Sequence, residues 1–201
     1  MTPGVDEWQP YSPQELAGRL AGLPVTWAVA GGWAVDLFLG RVTRDHHDIE
    51  MALPASDFGQ LTPLFPGWEF HVPQSGRLTP ADPVSLAAEF QTWALDPAIG
   101  RWRFDVFREP HDGDTWICRR DERIRRPYAE VVQRTPDGIP FVVPEVVLLF
   151  KAKAARDKDE QDLAAVLPEL SAGRRAWLDA ALALAHPDHP WQARLAHSAE
   201  R

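Results

Sequence analysis

The sequence predicts an α+β protein: a mixed β-sheet with flanking helices, followed by a smaller C-terminal helical region. Three observations carry this. Short apolar runs, some alternating with period two, recur between Val25 and Val143 and are separated by Gly, Pro and Asp turns. Helical spacing falls between some of these runs, behind recognisable caps. From Pro144 the pattern is helical to the end. The expected division is an α/β part over residues 1–143 and a helical part over 144–201.

The elements follow in order. Residues 1–11 read as a lead-in. Ser12-Pro13-Gln14-Glu15 combines an N-cap, a proline at the first helical position and a glutamate three residues after the cap. A helix is expected from there to about Ala21, with Leu16, Leu20 and Leu23 inward. Val25 to Ala30 is a short apolar strand that Gly31-Gly32 ends. Trp33, Val35, Leu37 and Phe38 make a brief helix stopped at Gly40, and a basic, His-containing loop leads to a strand over Asp48–Leu53. Pro54-Ala55-Ser56-Asp57 restarts a helix carrying Phe58, Leu61 and Leu64, which Pro66-Gly67 breaks.

Trp68 to Val72 is strand-like, and the Pro-, Ser- and Gly-rich stretch from Pro73 to Leu86 reads as a loop. Phe90–Leu95 and Trp102–Phe107 form a hairpin across Asp96-Pro97-Ala98-Ile99-Gly100. Within it Trp102, Phe104 and Val106 take one face and Arg103, Asp105 and Phe107 the other. Thr115–Arg119, Ala129–Arg134 and Ile139–Val143 are further strands. Pro144 opens the first helix of the tail, Gly173 punctuates it, and a last helix runs through Trp177, Leu178, Ala181 and Leu182.

Composition narrows the function. An apolar share of 45% and a charged share of 25% over 201 residues allow a sizeable core. Lys and Arg number 21 against 29 Asp and Glu, a net charge of −8. That argues against a nucleic-acid backbone as main partner and suits a cationic small molecule. Cys118 is the only cysteine, which excludes a disulfide framework and a Cys-based zinc site. No apolar run approaches the roughly 18–20 residues of a membrane helix, and the acidic N-terminus lacks a signal-peptide core. A cytoplasmic setting is expected.

The chemistry concentrates between Val29 and Leu53. Asp48 and Glu50, one residue apart on a strand, point to one face and offer hard oxygen ligands suited to Mg²⁺. Asp105 supplies a third carboxylate from a strand interior, where an unpaired charge is costly. Gly31 and Gly32 allow close backbone approach, and the N-terminus of the following helix offers N–H groups to phosphate. Arg44 lies just before the acidic strand, within reach of the same phosphates. Asp36, four residues after Gly32, is assigned a structural role, possible through ordering Arg44, and His46 an ordering role in the loop.

Strand, Gly-Gly, helix, loop, Asp-x-Glu on the next strand and a later strand Asp: this order resembles the nucleotidyltransferase superfamily related to DNA polymerase β. More narrowly, GGWAVDLFLGRVTRDHHDIE is similar to the corresponding segment of aminoglycoside 2''-nucleotidyltransferases and lincosamide nucleotidyltransferases, over roughly 25 residues. Their shared pattern is Gly-Gly-Trp, an Asp three residues on, a Gly before a basic loop, and Arg-x-His-x-Asp-Ile-acid; here the last is Arg44-Asp45-His46-His47-Asp48-Ile49-Glu50. Glu50 stands where those enzymes usually carry Asp.

The resemblance implies a nucleotidyltransferase fold and transfer of a nucleoside monophosphate from a nucleoside triphosphate, ATP by default, to a hydroxylated small molecule such as an aminoglycoside-like antibiotic. It implies that Asp48, Glu50 and Asp105 bind Mg²⁺, that Asp105 accepts the proton of the attacking hydroxyl, and that Gly31, Gly32 and Arg44 hold the triphosphate. A lysine of the helical part commonly faces the triphosphate in this superfamily, and Lys151 follows the apolar run Val146–Phe150 most directly. Two rival readings are a nucleotidyltransferase that modifies a protein or a tRNA, of toxin–antitoxin type, and an inactive nucleotide-binding module.

Overall fold

The computed structural model describes residues 2–74 and 76–197. It is an α+β fold, as the sequence predicts. The strands are β1 (Ala28–Ala30), β2 (Glu50–Pro54), β3 (Glu69–Gln74), β4 (Arg77–Pro80), β5 (Gln91–Asp96), β6 (Arg101–Glu109), β7 (His111–Asp112), β8 (Thr115–Ile117), β9 (Arg125–Pro127), β10 (Val132–Arg134) and β11 (Pro140–Val142). The helices are α1 (Pro13–Arg19), α2 (Gly31–Leu39), α3 (Phe58–Leu61), α4 (Pro83–Ala88), α5 (Tyr128–Val131), α6 (Pro144–Lys151), α7 (Asp157–Val166), α8 (Ala172–Ala185) and α9 (Trp191–His197). An eight-stranded sheet runs in the order β10-β11-β1-β2-β6-β5-β3-β4, and β7-β8-β9 form a three-stranded sheet beside it.

Local chemistry explains the elements around the centre of the sheet. The capping box of α1 is present in full: Ser12 Oγ accepts from Glu15 N, and the Glu15 carboxylate accepts from Ser12 N at 2.7 Å. Leu16, Leu20 and Leu23 are buried. Gly40 closes α2 in the left-handed region at φ 66°, where a side chain is disfavoured. Strand β2 pairs antiparallel with β1 and parallel with β6, so Ala30, Glu50 and Asp105 stand side by side on one rung. The face of β6 bearing Trp102, Phe104 and Val106 is buried, as alternation predicts.

Several boundaries differ from the sequence reading. The stretch from Pro73 to Leu86, expected as a loop, carries regular elements on either side of residue 75: β3 continues to Gln74, β4 pairs with it, and α4 follows. Gly76 at φ 75° makes the reversal, and Asp82 caps α4 by accepting from Val84 N and Ser85 N. Proline-rich composition concealed a signal, Asp82-Pro83, that reads as a helix start. Ala129 to Val131 is a helical turn, with only Val132–Arg134 extended. Strand β2 begins at Glu50, so Asp48 lies just ahead of it, although the Ile49 carbonyl still accepts from Asp105 N at 2.9 Å. Leu64 is exposed, and the neighbouring Phe65 fills the core.

The helices from α6 onward pack against α2 and the sheet. Val146, Leu148, Leu163, Leu178 and Trp191 belong to the same apolar cluster as Val29, Val35 and Met51. The carboxyl of Glu145, at the start of α6, is buried between Arg126 at 2.9 Å and Arg174 at 3.2 Å. No helix among the described residues is long and apolar enough to cross a membrane.

Candidate active site

Glu50 and Asp105 face the same side of the sheet from adjacent, in-register strands. The Glu50 carboxylate lies directly over Gly31: a Cβ there would overlap Glu50 Oε2, and Gly31 sits at φ 60°. Glycine is required on both counts. Helix α2 begins at this point with neither a side-chain cap on Ala30 nor an acid in its first turn. Asp105 is held by Gln91, whose side-chain amide donates to Oδ2, while Oδ1 is buried without a partner. Burial pushes both carboxyls upward, Asp105 well above the ordinary range, and the negative charge of Glu50 adds to the shift of Asp105. Asp48 raises both further, and makes no hydrogen bond or ion pair among the described residues.

A half-buried and a buried carboxyl side by side, the latter with an orphaned oxygen, fit a divalent cation in chemistry and charge. Among the described residues no three His, Cys, Asp or Glu side chains close a cage of their own. Mg²⁺ keeps several waters and takes one or two carboxylates together with substrate phosphates, and this pair offers ligands of that type.

The loop between α2 and β2 is held from beneath. Asp36 is buried; its Oδ1 accepts from Thr43 N at 3.1 Å and Thr43 Oγ1 at 2.5 Å, and its Oδ2 accepts from His46 Nε2 at 2.6 Å. Arg44 Nη1 donates to His46 Nδ1 at 3.2 Å, which fixes the proton of that ring on Nε2. The His46 ring stacks on Trp33 at 4.4 Å. Asp36 thus orders Arg44 through His46. Gly32 leaves the space for this: a Cβ there would overlap the Arg44 guanidinium and come 2.7 Å from His46 Cε1.

Arg44 and Lys151 converge on α7. Arg44 makes a fork with Asp162, Nε to Oδ1 at 3.0 Å and Nη2 to Oδ2 at 3.1 Å. Lys151 Nζ lies 2.8 Å from Asp159 and 2.9 Å from Asp162. The helix-surface pair Lys158–Asp162 that spacing suggests is absent, because Asp162 is buried and spent on Arg44 and Lys151. Burial pushes both acids up, but Lys151 and Arg156 hold Asp159 down to about 2, and Arg44 and Lys151 hold Asp162 below its ordinary value. Both cations predicted to grip phosphate are therefore neutralised in place, although Lys151 still lowers the pKa of Glu50.

A cleft of about 540 Å³ opens over this face of the sheet. Ala30, Gly31, Glu50 and Ala52 line its floor; Val146, Val147, Phe150 and Lys153 come from α6 and the turn after it. Trp116, Arg119, Arg120 and Tyr128 come from the small sheet and its flanks, and Gln91 from β5. Sequence reasoning missed Gln91, Glu109 and Arg119. Glu109 shares the parity of Asp105 and Phe107 along β6, which was a usable signal; Arg119 carried none. Its guanidinium pairs with buried Glu109 and lies 4.5 Å from the Phe107 ring centre and 4.2 Å from that of Phe150. Trp93 and Trp102 pack with Trp8, and the Trp102 indole N–H donates to the Gly4 carbonyl at 2.9 Å.

Comparison with known proteins bears on the fold and on the first part of the sequence. A family model described as aminoglycoside-2''-adenylyltransferase matches residues 14–73. A 2''-aminoglycoside nucleotidyltransferase of Klebsiella pneumoniae is 52% identical over 79 residues, 39% of this chain and 41% of that protein. The match therefore spans less than half the length of that relative. Among solved structures, ANT(2'')-Ia in complex with adenylyl-2''-tobramycin superposes with a TM-score of 0.58 at 14% identity, over 84% of this chain and 93% of that one. The lincomycin-bound lincosamide antibiotic adenylyltransferase LnuA gives 0.55 at 16%, over 79% and 98%. These likenesses establish the fold. The chain resembles nucleotidyltransferases in its overall architecture, and resembles the 2''-aminoglycoside enzymes in the sequence of its first third.

Proposed function

We propose that the protein is a metal-dependent nucleotidyltransferase that moves a nucleoside monophosphate, AMP from ATP, onto a hydroxyl of a small molecule such as an aminoglycoside-like antibiotic. The observation that carries the reading is the Glu50–Asp105 pair, in register on neighbouring strands, set over the Gly31 turn with one carboxyl oxygen unpartnered. The acceptor class is supported by the family model over residues 14–73 and by the antibiotics named with the two structural neighbours.

The donor set fits Mg²⁺: Glu50 and Asp105 would hold it, with Asp48 beside them. Bound there, it would neutralise charge developing on the phosphate. Asp105 Oδ1 accepts the proton of the substrate hydroxyl, and that oxygen attacks the α-phosphorus in line as the bond to pyrophosphate breaks. Gln91 keeps the Asp105 carboxylate in one orientation through its other oxygen. Gly31 and Gly32 let phosphate approach the free N–H groups of α2. Arg44 lies beside that turn, and Asp162 and Asp159 anchor Arg44 and Lys151 in place as matched pairs. The division near Val143 belongs to this reading: the helical part contributes Lys151 and the acids that hold Arg44.

Calorimetric titration with Mg²⁺–ATP tests the proposal directly. Wild type is expected to bind, and Asp48→Ala to bind more weakly; a wild type that binds no nucleotide sinks it. Pyrophosphate release is expected with members of an aminoglycoside and lincosamide panel, and release with tRNA alone would overturn the antibiotic assignment.

A further inference from the structure

We propose that Arg119, Arg120 and Lys153 form the anion-binding wall of the cleft and hold the polyphosphate that leaves as pyrophosphate. The inference deepens the nucleotidyl-transfer reading and rests on it for the identity of the ligand. Its starting point is a shortage. A nucleoside triphosphate brings several negative charges to a site whose obvious cations, Arg44 and Lys151, are already matched by Asp162 and Asp159. The chain as a whole carries −8, so unmatched positive charge inside a cleft is the exception.

That exception lies across the cleft from α2. Arg119 and Arg120 follow β8 of the small sheet, and Lys153 follows α6; two separate elements bring them to the cleft that has Glu50 in its floor. Among the described residues Glu109 is the only carboxylate within ion-pair distance of any of the three. Arg120 and Lys153 are exposed, and their side chains make no hydrogen bond or ion pair among the described residues. Glu50 and Glu89 also line the cleft but pair with none of the three, so two cations are left there without a carboxylate partner.

The three are not equivalent. Arg119 is fixed: Glu109 takes one of its nitrogens, Trp116 Nε1 donates at 3.1 Å to the other Glu109 oxygen, and Phe107 and Phe150 bracket the guanidinium. A planar fork held this way is preorganised for a phosphate and loses little side-chain freedom on binding. Its charge reaches the reacting end of the cleft, since it lowers the pKa of both Glu50 and Asp105. It also lowers that of Arg120, behind the larger effect of burial, so the two guanidinium charges lie close enough to repel. Arg120 and Lys153, exposed and without a side-chain partner among the described residues, are placed to close on a bound chain of phosphates.

Titration calorimetry on the full chain with Mg²⁺–ATP, AMP and inorganic tripolyphosphate tests this, comparing wild type, the double variant Arg120→Ala/Lys153→Ala, and Arg119→Lys. A charge-assisted contact contributes about tenfold in affinity, so the double variant should weaken tripolyphosphate and ATP by about 100-fold. AMP should change by less than about threefold, because its lone phosphate is retained by the α2 turn. Arg119→Lys keeps the charge and loses the fork, and should weaken ATP by about tenfold with the thermal transition unmoved. Unchanged ATP and tripolyphosphate affinity in the double variant overturns the proposal while leaving the enzyme reading intact. An equal loss for AMP and ATP also overturns it. Tripolyphosphate binding that the double variant loses, in a wild type that binds no nucleotide, supports the wall and sinks the nucleotidyl-transfer reading. A wild type that binds neither ligand overturns both.

Discussion

Asp105 is a carboxyl buried in the middle of a strand with one oxygen unpartnered, a placement that destabilises the fold holding it. Burial and Glu50 raise its folded pKa well above the ordinary 3.8, so the folded state binds the proton more tightly than the unfolded one. Stability is then greatest below that ordinary value and falls as pH rises through the interval up to the folded pKa. Asp105→Asn removes the penalty and still accepts from Gln91. It is expected to raise the melting temperature at pH 7 by a few degrees, with the gain shrinking toward pH 3, and to abolish nucleotidyl transfer; calorimetry at the two pH values reads it. A lower melting temperature for the variant at pH 7 would contradict the account. Gly31→Ala works the other way. Its methyl group overlaps the Glu50 carboxylate in a left-handed backbone, so we expect a loss of about 1–3 kcal/mol in urea unfolding and roughly 100-fold in turnover.

At the scale of elements, α7 ties the Arg44 loop and the end of α6 together through Asp159 and Asp162, both 1% exposed. Removing one partner of such a network strands buried charge. Asp162→Ala should cost about 3–5 kcal/mol, measured by denaturant unfolding, with greater protease sensitivity at the loop preceding β2. A cost below about 1 kcal/mol would mean the network is solvated. The acid side follows from the same pairs. Asp159 titrates near 2 in the folded state against an ordinary 3.8, and Asp162 is lowered too. Their contribution is present above that ordinary value and disappears as pH falls through it toward 2, opposite in sign to the contribution of Asp105.

For the whole molecule, the site is a strained region inside a well-packed frame. A divalent cation that binds only the folded state offsets the repulsion between Glu50 and Asp105, and by linkage stabilises the fold in proportion to its occupancy. Millimolar Mg²⁺ should raise the melting temperature of wild type and leave that of Asp105→Asn nearly unchanged. An equal rise in both would place the cation elsewhere.

Much of this architecture can be read from local order. Ser12-Pro13-x-Glu15 writes its own capping box, Gly40 its own helix stop, and the alternation along β6 puts Asp105 on the face opposite the core. Local order therefore pointed to the Gly31-Gly32 turn, Glu50 and Asp105, which depend on contacts within a few residues or on strand parity, whereas Asp48 lies ahead of the strand expected to carry it. The hairpin β3–β4 and helix α4 escaped because proline and serine serve turns, caps and strand edges alike.

Partnership across the chain is another matter. Asp162 lies 118 residues from Arg44, and nothing local announces that it neutralises both Arg44 and Lys151. Nor does spacing bring Arg119, Phe107 and Phe150 together from three separate elements. The sequence by itself determined the carboxylates and the glycine turn, because strand parity and backbone freedom are local properties. Only the tertiary structure decided which cations are already matched and which face the cleft, because charge pairing depends on distance in space and not along the chain.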